Sequence, residues 1–180
     1  MKKYLLILVA GVALVGAGCA TQTQTSTEAN NDTTQVVEEV KKPQELDLAS
    51  IMEAVKAEFS TVQDTKVLTE ENDPYGNLGK AGYYTAGAAF WDTRTEYSEA
   101  YKEESELGKW GASAGGMIEV YATDEEAKSR IEYMQAFVGN PLTEPGAFKQ
   151  IGTVVIRASS ELTATQQNEI MAFLEEQVTK

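Results

Sequence analysis

Residues 115–138 read GGMIEVYATDEEAKSRIEYMQAFV and carry the clearest secondary-structure signals in the chain. A strand is predicted over residues 117–121, because apolar and polar side chains alternate there. Side chains on a strand point alternately to its two faces, so Ile118 and Val120 share one face and Glu119 lies on the other.

A helix directly follows this strand. Thr123 and Glu126 form a capping box, in which the threonine hydroxyl accepts from the backbone N–H of Glu126 and the glutamate side chain reaches back. The pair Asn140-Pro141 is predicted to end the helix, since proline disfavours helical geometry in the residue before it. An apolar stripe at helical spacing gives the helix one buried side. It comprises Ala127, Ile131, Met134 and Val138.

Two arginines have defined candidate partners. Arg130 lies one helical turn after Glu126, a spacing that gives an ordinary surface ion pair. If Arg130 or Arg157 is buried, however, the expected partner is Glu119, because a buried charge needs an opposite charge beside it.

Two further helices are predicted outside this stretch. Asp47 is a plausible cap for the first, and Thr163 with Gln166 forms a second capping box for the last. Their buried sides have apolar residues at helical spacing. These residues are Leu48, Ile51, Met52, Val55 and Phe59 in the first helix, and Ile170, Phe173, Leu174 and Val178 in the last.

Residues 83–91 and 153–158 are predicted to be strands. Gly87 inside the first of them indicates either a bulge or a close backbone approach. Residues 61–80 are interpreted as turns, residues 96–109 as a charged loop or exposed helix, and residues 111–116 (GASAGG) as a flexible lead into the next strand.

The predicted order is therefore helix, strand, strand, helix, strand, helix. This order favours an α+β fold with a small, mostly antiparallel sheet of three to five strands, packed by about three helices.

The N-terminus resembles a bacterial lipoprotein signal. Lys2 and Lys3 precede an apolar run that ends in small residues and then Cys19, the single cysteine of the chain. The position three residues before the cysteine, usually a larger aliphatic, is Gly16 here. We expect residues 1–18 to be removed and Cys19 to be lipidated, which places the protein on the extracytoplasmic face of the cell membrane.

Composition divides the rest of the chain into a tether and one domain. Residues 19–45 are rich in Thr, Gln, Asn and Glu and contain no aromatic residue, so they cannot bury enough surface to offset their ordering entropy. Residues 46–180 form the predicted α+β domain. The chain has no histidine, and its net charge is −13. This charge argues against nucleic acid as a partner, and no cofactor or metal is expected.

Three segments resemble a group of small bacterial surface lipoproteins and secreted proteins of unknown function. They are NDPYGNLGKAGYYT (72–85), similar to a DPN-LLGRPGGYTS type of motif, GGMIEVY (115–121) with Ala127, Arg130 and Tyr133, and GTVVIRAS (152–159) leading to Leu162 and Thr163. The chain departs from that pattern at Ala81, where the motif has proline. The resemblance implies a single exported domain and no particular chemistry.

The candidate contact residues are Asp73, Tyr75, Trp91 and Trp110. Asp73 and Tyr75 lie in a loop rich in oxygen donors, but the loop lacks the spacing of a calcium-binding EF-hand, and its residues also suit a plain turn. Exposed aromatic side chains contribute much of the binding energy of interfaces. Trp110 stands between a lysine and a glycine, which favours exposure, whereas Trp91 fits a core position equally well.

Three functions are compatible with these features. The first is a lipid-anchored binding module without catalytic activity, which has a protein partner in the envelope. The second is an accessory that helps to assemble an envelope complex. The third is a hydrolase that uses carboxylates alone, with Asp92 or the run Glu103–Glu106 as acid and base.

Overall fold

The computed structural model describes residues 46–95 and 111–180. Within these ranges, three helices pack against one antiparallel sheet of five strands, which confirms the predicted α+β class. The predicted signal segment and tether, with Cys19, lie outside the described residues, as do residues 96–110. The elements are α1 (Leu48–Glu58), β1 (Val62–Val67), β2 (Ala86–Asp92), β3 (Gly115–Val120), α2 (Asp124–Gln135), β4 (Ala147–Ile151), β5 (Val154–Ala158) and α3 (Ala164–Val178).

The sheet has the strand order β1-β2-β3-β5-β4, and every neighbouring pair is antiparallel. The three predicted strands are confirmed as the central ones, β2, β3 and β5. The two edge strands, β1 and β4, are absent from the sequence prediction, and the interpretation of residues 61–80 as turns is wrong for Val62–Val67. An edge strand buries few side chains, so it shows little alternation. Val62 is the single buried residue of β1, and β4 has none.

Each face of the sheet carries a separate core. Helices α1 and α3 cover the first face, where Ile118 and Val120 pack against Val55 and Ile170. Helix α2 covers the second face, where Met134 packs with side chains of the sheet. The predicted division of β3 is therefore confirmed, and both of its faces are buried.

The helix caps follow the sequence closely. Asp47 accepts a hydrogen bond from the backbone of Ser50, and Thr163 and Gln166 form both bonds of a capping box. Replacing such a cap by alanine removes about 1 kcal/mol of stability. The predicted apolar faces of α1 and α3 are both buried, with Phe59 and Phe173 partly buried at their margin.

Helix α2 differs from its prediction at both ends. The hydroxyl of Thr123 accepts from Glu126 N as expected, but the Glu126 carboxylate accepts from Ala122 N at 3.2 Å, one residue before the expected partner. The helix ends at Gln135, several residues before the predicted stop. Val138 consequently leaves the apolar stripe and is 58% exposed.

Glycines allow close packing where larger residues could not fit. A Cβ atom on Gly116 would stand 2.3 Å from Phe90 Cζ, and the residues of GASAGG other than Ser113 are buried. The interpretation of this segment as flexible is therefore wrong; it forms a 3₁₀ turn and the start of β3. A Cβ on Gly87 would stand 2.9 Å from Leu68 Cδ1, and the strand pairing there is regular, so Gly87 marks a close approach and not a bulge.

Candidate functional site

A cleft of about 1040 Å³ lies on the second face of the sheet, beside α2. Its walls come from the loop 75–84, from α2 and the segment after it, and from the end of β5. The side chains that matter most for its chemistry are Tyr75, Tyr121, Arg130, Tyr133, Phe137 and Arg157.

A fully buried carboxylate lies beneath this cleft. Glu119 is in the middle of β3 and has no exposed surface. Strand alternation puts Tyr121 on the same face two residues later. Arg157 on β5 pairs with Met117, so it lies diagonally across from Glu119. Arg130 reaches the same point from α2, and four side chains from three elements therefore converge.

The carboxylate oxygens of Glu119 accept four hydrogen bonds. Oε2 accepts from the Tyr121 hydroxyl at 2.8 Å and from Arg130 Nε at 2.9 Å. Oε1 accepts from Arg130 Nη2 and from Arg157 Nη1, both at 3.0 Å. Two oxygens offer about four lone-pair sites, so the acceptor capacity of Glu119 is fully used. The predicted pairing of a buried arginine with Glu119 is confirmed for Arg157, and the half-buried Arg130 also bonds to Glu119 instead of forming the surface pair with Glu126.

This arrangement keeps Glu119 ionised. Burial alone would raise its pKa, but the charge of Arg157 and the hydrogen bond and charge of Arg130 outweigh burial, so the pKa lies below its usual range. Burial and the neighbouring Glu119 raise the pKa of the Tyr121 hydroxyl, which therefore stays protonated. The group of Glu119, Tyr121, Arg130 and Arg157, here named the Glu119 cluster, has fixed charges at neutral pH.

The Glu119 cluster contains two positive charges and one negative charge. Arg157 is 8% exposed, and its Nε has no hydrogen-bond acceptor within the described part of the chain. Such a buried donor costs about 1–3 kcal/mol when it is left unsatisfied. The Glu119 cluster at the base of the cleft therefore has one more positive than negative charge, and more hydrogen-bond donors than its carboxylate can accept from.

Asp73 does not line the cleft itself but supports the wall that the loop 75–84 forms. It is 4% exposed and accepts from the Tyr84 hydroxyl and from the backbone N–H groups of Tyr75, Asn77 and Leu78. Burial raises its pKa, but the bond from Tyr84 and the backbone bonds outweigh burial and lower the pKa overall. Its oxygens hold the loop 73–78 together, which agrees with the plain-turn alternative.

The other predicted contact residues fall in different places. Tyr75 lines the cleft and is 43% exposed, and its hydroxyl lies close to Gly111. Trp91 is on β2, partly buried against the second core, and does not line the cleft. Trp110 and Cys19 lie outside the described residues. The structure therefore holds Asp73 and Tyr75 together in one loop and places Trp91 apart from them, on β2.

Several cleft residues are missing from the sequence-based candidates. Tyr84 and Tyr121 pack edge to face, with ring centroids 6.4 Å apart, and Tyr133 is 60% exposed at the rim. The period of two along β3 could have placed Tyr121 beside Glu119. No comparable signal joins Tyr133 to Tyr84, because these residues come from different elements.

Comparison with protein-family models, curated proteins and solved structures finds no match to this chain. Over residues 46–95 and 111–180, no group of three or more acidic, histidine or cysteine side chains is placed to hold a metal ion. In the same ranges, none of the helices has the length and apolar character needed to cross a membrane.

Replacing Asp73 by asparagine is expected to lower the free energy of unfolding by about 2–3 kcal/mol at neutral pH, since hydrogen bonds to a charged group are lost. The folded pKa of Asp73 lies below its ordinary value of 3.8. This stabilisation is therefore complete above that value and disappears as the pH falls through the folded pKa. Urea unfolding at neutral and acidic pH measures both effects.

The matched control for this prediction is Asp64→Asn. Asp64 is exposed on β1 and accepts one hydrogen bond, from Thr65 N, so we expect a change within about 0.5 kcal/mol. Equal losses for the two variants would show that Asp73 does not stabilise the cleft wall.

Proposed function

We propose that this protein is a lipid-anchored, extracytoplasmic binding module without catalytic activity, and that the cleft is its binding site. The anchor would be Cys19, residues 19–45 the tether, and residues 46–180 the domain that meets its ligand or protein partner away from the membrane surface. The location is inferred from the N-terminal sequence, and the binding role is inferred from the cleft.

The observation that carries the binding role is the Glu119 cluster beneath an open cleft. A binding site works best when its polar groups are held in place before the ligand arrives, because less ordering is then needed on binding. Three hydrogen bonds to Glu119 hold Arg130 and Arg157 in position, while exposed aromatic side chains such as Tyr75 and Tyr133 line the walls above. Fixed polar groups with apolar walls are the usual makeup of a ligand site.

The ionisation and hydrogen bonding of the buried carboxylates favour a binding role over hydrolysis. General acid–base catalysis needs a group whose pKa lies near the working pH, whereas Glu119 and Asp73 have lowered values and use their oxygens in hydrogen bonds. Asp92, one candidate acid, is fully buried and is bonded by Arg94 and Thr61. The other candidates, Glu103–Glu106, lie outside the described residues.

A role as an assembly accessory is the second candidate, and exposed side chains at the end of α2 and in the segment after it favour it. Tyr133, Val138 and Leu142 are 60%, 58% and 93% exposed. Exposed apolar side chains near one another are typical of protein interfaces. If the partner is a protein, contact is expected along this stretch, residues 133–142.

The anchor is tested by the intact mass of the protein extracted from its host membrane. We expect a chain that begins at Cys19 and carries the mass of a diacylglyceryl group. The variant Cys19→Ser should lack that mass and leave the membrane fraction. An unmodified Cys19 in membrane-extracted protein would contradict the anchoring.

The binding role is tested in cells by placing the photo-crosslinking residue p-benzoylphenylalanine at Tyr133, on the rim of the cleft. The control position is Glu53, which is exposed on α1 at the opposite face of the sheet. We expect a discrete adduct from position 133 and not from position 53. A small mass increase would identify a small ligand, and a large one a protein partner.

A further inference from the structure

The base of the cleft has donors that its own acid does not use. The bonds to Glu119 involve Nη1 of Arg157 and both Nε and Nη2 of Arg130. Both arginines line the cleft, and the remaining N–H groups of their guanidinium groups make no bond to that carboxylate. Arg157 Nε has no acceptor within the described residues, but this atom is buried and does not face the cleft, so the donors open to a ligand are the other N–H groups. One positive charge of the Glu119 cluster is not balanced by Glu119.

We propose that the cleft binds an oxyanion, a carboxylate or a phosphate, that belongs to a ligand with an aromatic or apolar body. This inference rests on the proposed binding function and adds the chemistry of the ligand. Guanidinium groups present N–H donors in a planar fork that matches such oxyanions. An anion beside Arg130 and Arg157 would balance the extra charge of the Glu119 cluster and accept from those guanidinium N–H groups that reach the cleft.

The walls of the cleft define the rest of the ligand. Tyr133 packs edge to face with Phe137, with ring centroids 5.0 Å apart, and Arg130 lies 5.6 Å from the centre of the Tyr133 ring. Tyr133, Phe137 and Leu142 form an apolar wall of the cleft, next to the Arg130 guanidinium group. A planar or aliphatic group attached to the oxyanion would cover this wall.

Acidic residues at the rim limit the charge of the ligand. Glu144 and Glu161 also line the cleft, and the Glu144 carboxylate accepts from the backbone N–H of Gly139. Like charges repel, so a second negative charge on the ligand would be disfavoured. A monoanionic carboxylate therefore fits the cleft better than a dianionic phosphate.

The test is isothermal titration calorimetry of the full-length lipidated protein in detergent, with empty micelles as the blank. The three compounds are benzoate, phenyl phosphate and the neutral benzamide. We expect benzoate to bind at millimolar concentration and at least tenfold more tightly than benzamide. Tighter binding of phenyl phosphate than of benzoate would identify phosphate as the source of the oxyanion.

Three variants connect the binding to particular side chains. Arg157→Lys keeps the charge but removes the fork, and we expect at least a tenfold loss of benzoate affinity. Tyr133→Ala leaves the four residues of the Glu119 cluster unchanged, and it should lower the affinity for benzoate several-fold because it removes part of the aromatic wall. Glu132→Ala, on the same helix but outside the cleft, should leave the affinity unchanged. Circular dichroism spectra establish that each variant is folded.

Three results would overturn oxyanion recognition. Two of them are equal affinity for benzoate and benzamide, and unchanged benzoate affinity in folded Arg157→Lys protein. In either case an adduct at position 133 in cells would still support a binding module with a different ligand. The third is no heat above the micelle blank from either anion. The in-cell adduct then decides the proposed function separately.

Discussion

Glu119→Gln is expected to lower the free energy of unfolding by about 3–5 kcal/mol at neutral pH. The amide is neutral, so Arg130 and Arg157 would lose the charge that now balances one of theirs, inside a protein where neither can reach water fully. The amide group would also present donors where the carboxylate presents only acceptors. Urea unfolding, followed by tryptophan fluorescence, measures the loss.

The loss caused by Glu119→Gln is expected to depend on pH. The folded pKa of Glu119 lies below its ordinary value of 4.5. The stability that its charge provides is therefore complete above that value and is lost as the pH falls through the folded pKa. The difference in the free energy of unfolding between the wild-type protein and Glu119→Gln should therefore become smaller at acidic pH.

Glu132→Gln is the matched control for Glu119→Gln. Glu132 is exposed on α2, and its Oε1 lies 3.9 Å from Lys128 Nζ. A surface pair of this kind contributes about 0.3–0.5 kcal/mol. If the two glutamine variants lost similar amounts, the Glu119 cluster could not be a buried, charge-balanced unit.

Gly146→Ala is expected to cost about 3 kcal/mol or more, for two separate reasons. Gly146 has a φ of +76°, a backbone conformation that costs an alanine about 1 kcal/mol or more. Its new Cβ would stand 2.2 Å from the carbonyl oxygen of Ala158 and 2.6 Å from Ser160 N. Overpacking against backbone atoms typically adds about 1–3 kcal/mol. Because Ser160 lines the cleft, benzoate affinity should fall as well.

Gly139→Ala is the control that separates backbone strain from the clash of the new Cβ atom. Gly139 has a similar φ of +82°, but nothing lies within 4 Å of its Cβ position. We expect a loss of about 1 kcal/mol from backbone strain alone. Equal losses for Gly139→Ala and Gly146→Ala, measured by urea unfolding, would show that the contact with β5 is not tight.

The elements that sequence predicts well are those with local signals. Thr163 and Gln166 define the start of α3, and the alternation along 117–121 places Glu119 opposite Ile118. The edge strands β1 and β4 lack such signals. They are short, and β1 has one buried residue while β4 has only half-buried and exposed ones, so neither a buried face nor an apolar run distinguishes them from a loop. Pairing with a central strand forms them, and this pairing is not local in sequence.

The candidate site also has one part that local sequence signals predict and one part that they do not. Glu119 and its possible arginine partners can be inferred from strand alternation and from the cost of burying a charge. The cleft itself cannot be inferred, because its walls come from the loop 75–84, from α2 and from the end of β5, which are far apart in the chain. Tyr133 is therefore absent from the sequence-based candidates although it is the most exposed aromatic side chain among the described residues.

The most direct test of the account is the adduct formed in cells by p-benzoylphenylalanine at position 133, measured in the wild-type chain and in the Arg157→Lys background. The account predicts one discrete adduct that is absent at position 53 and reduced by Arg157→Lys. The same adducts at positions 133 and 53, or no adduct from the cleft at all, would contradict the claim that this cleft is the binding site.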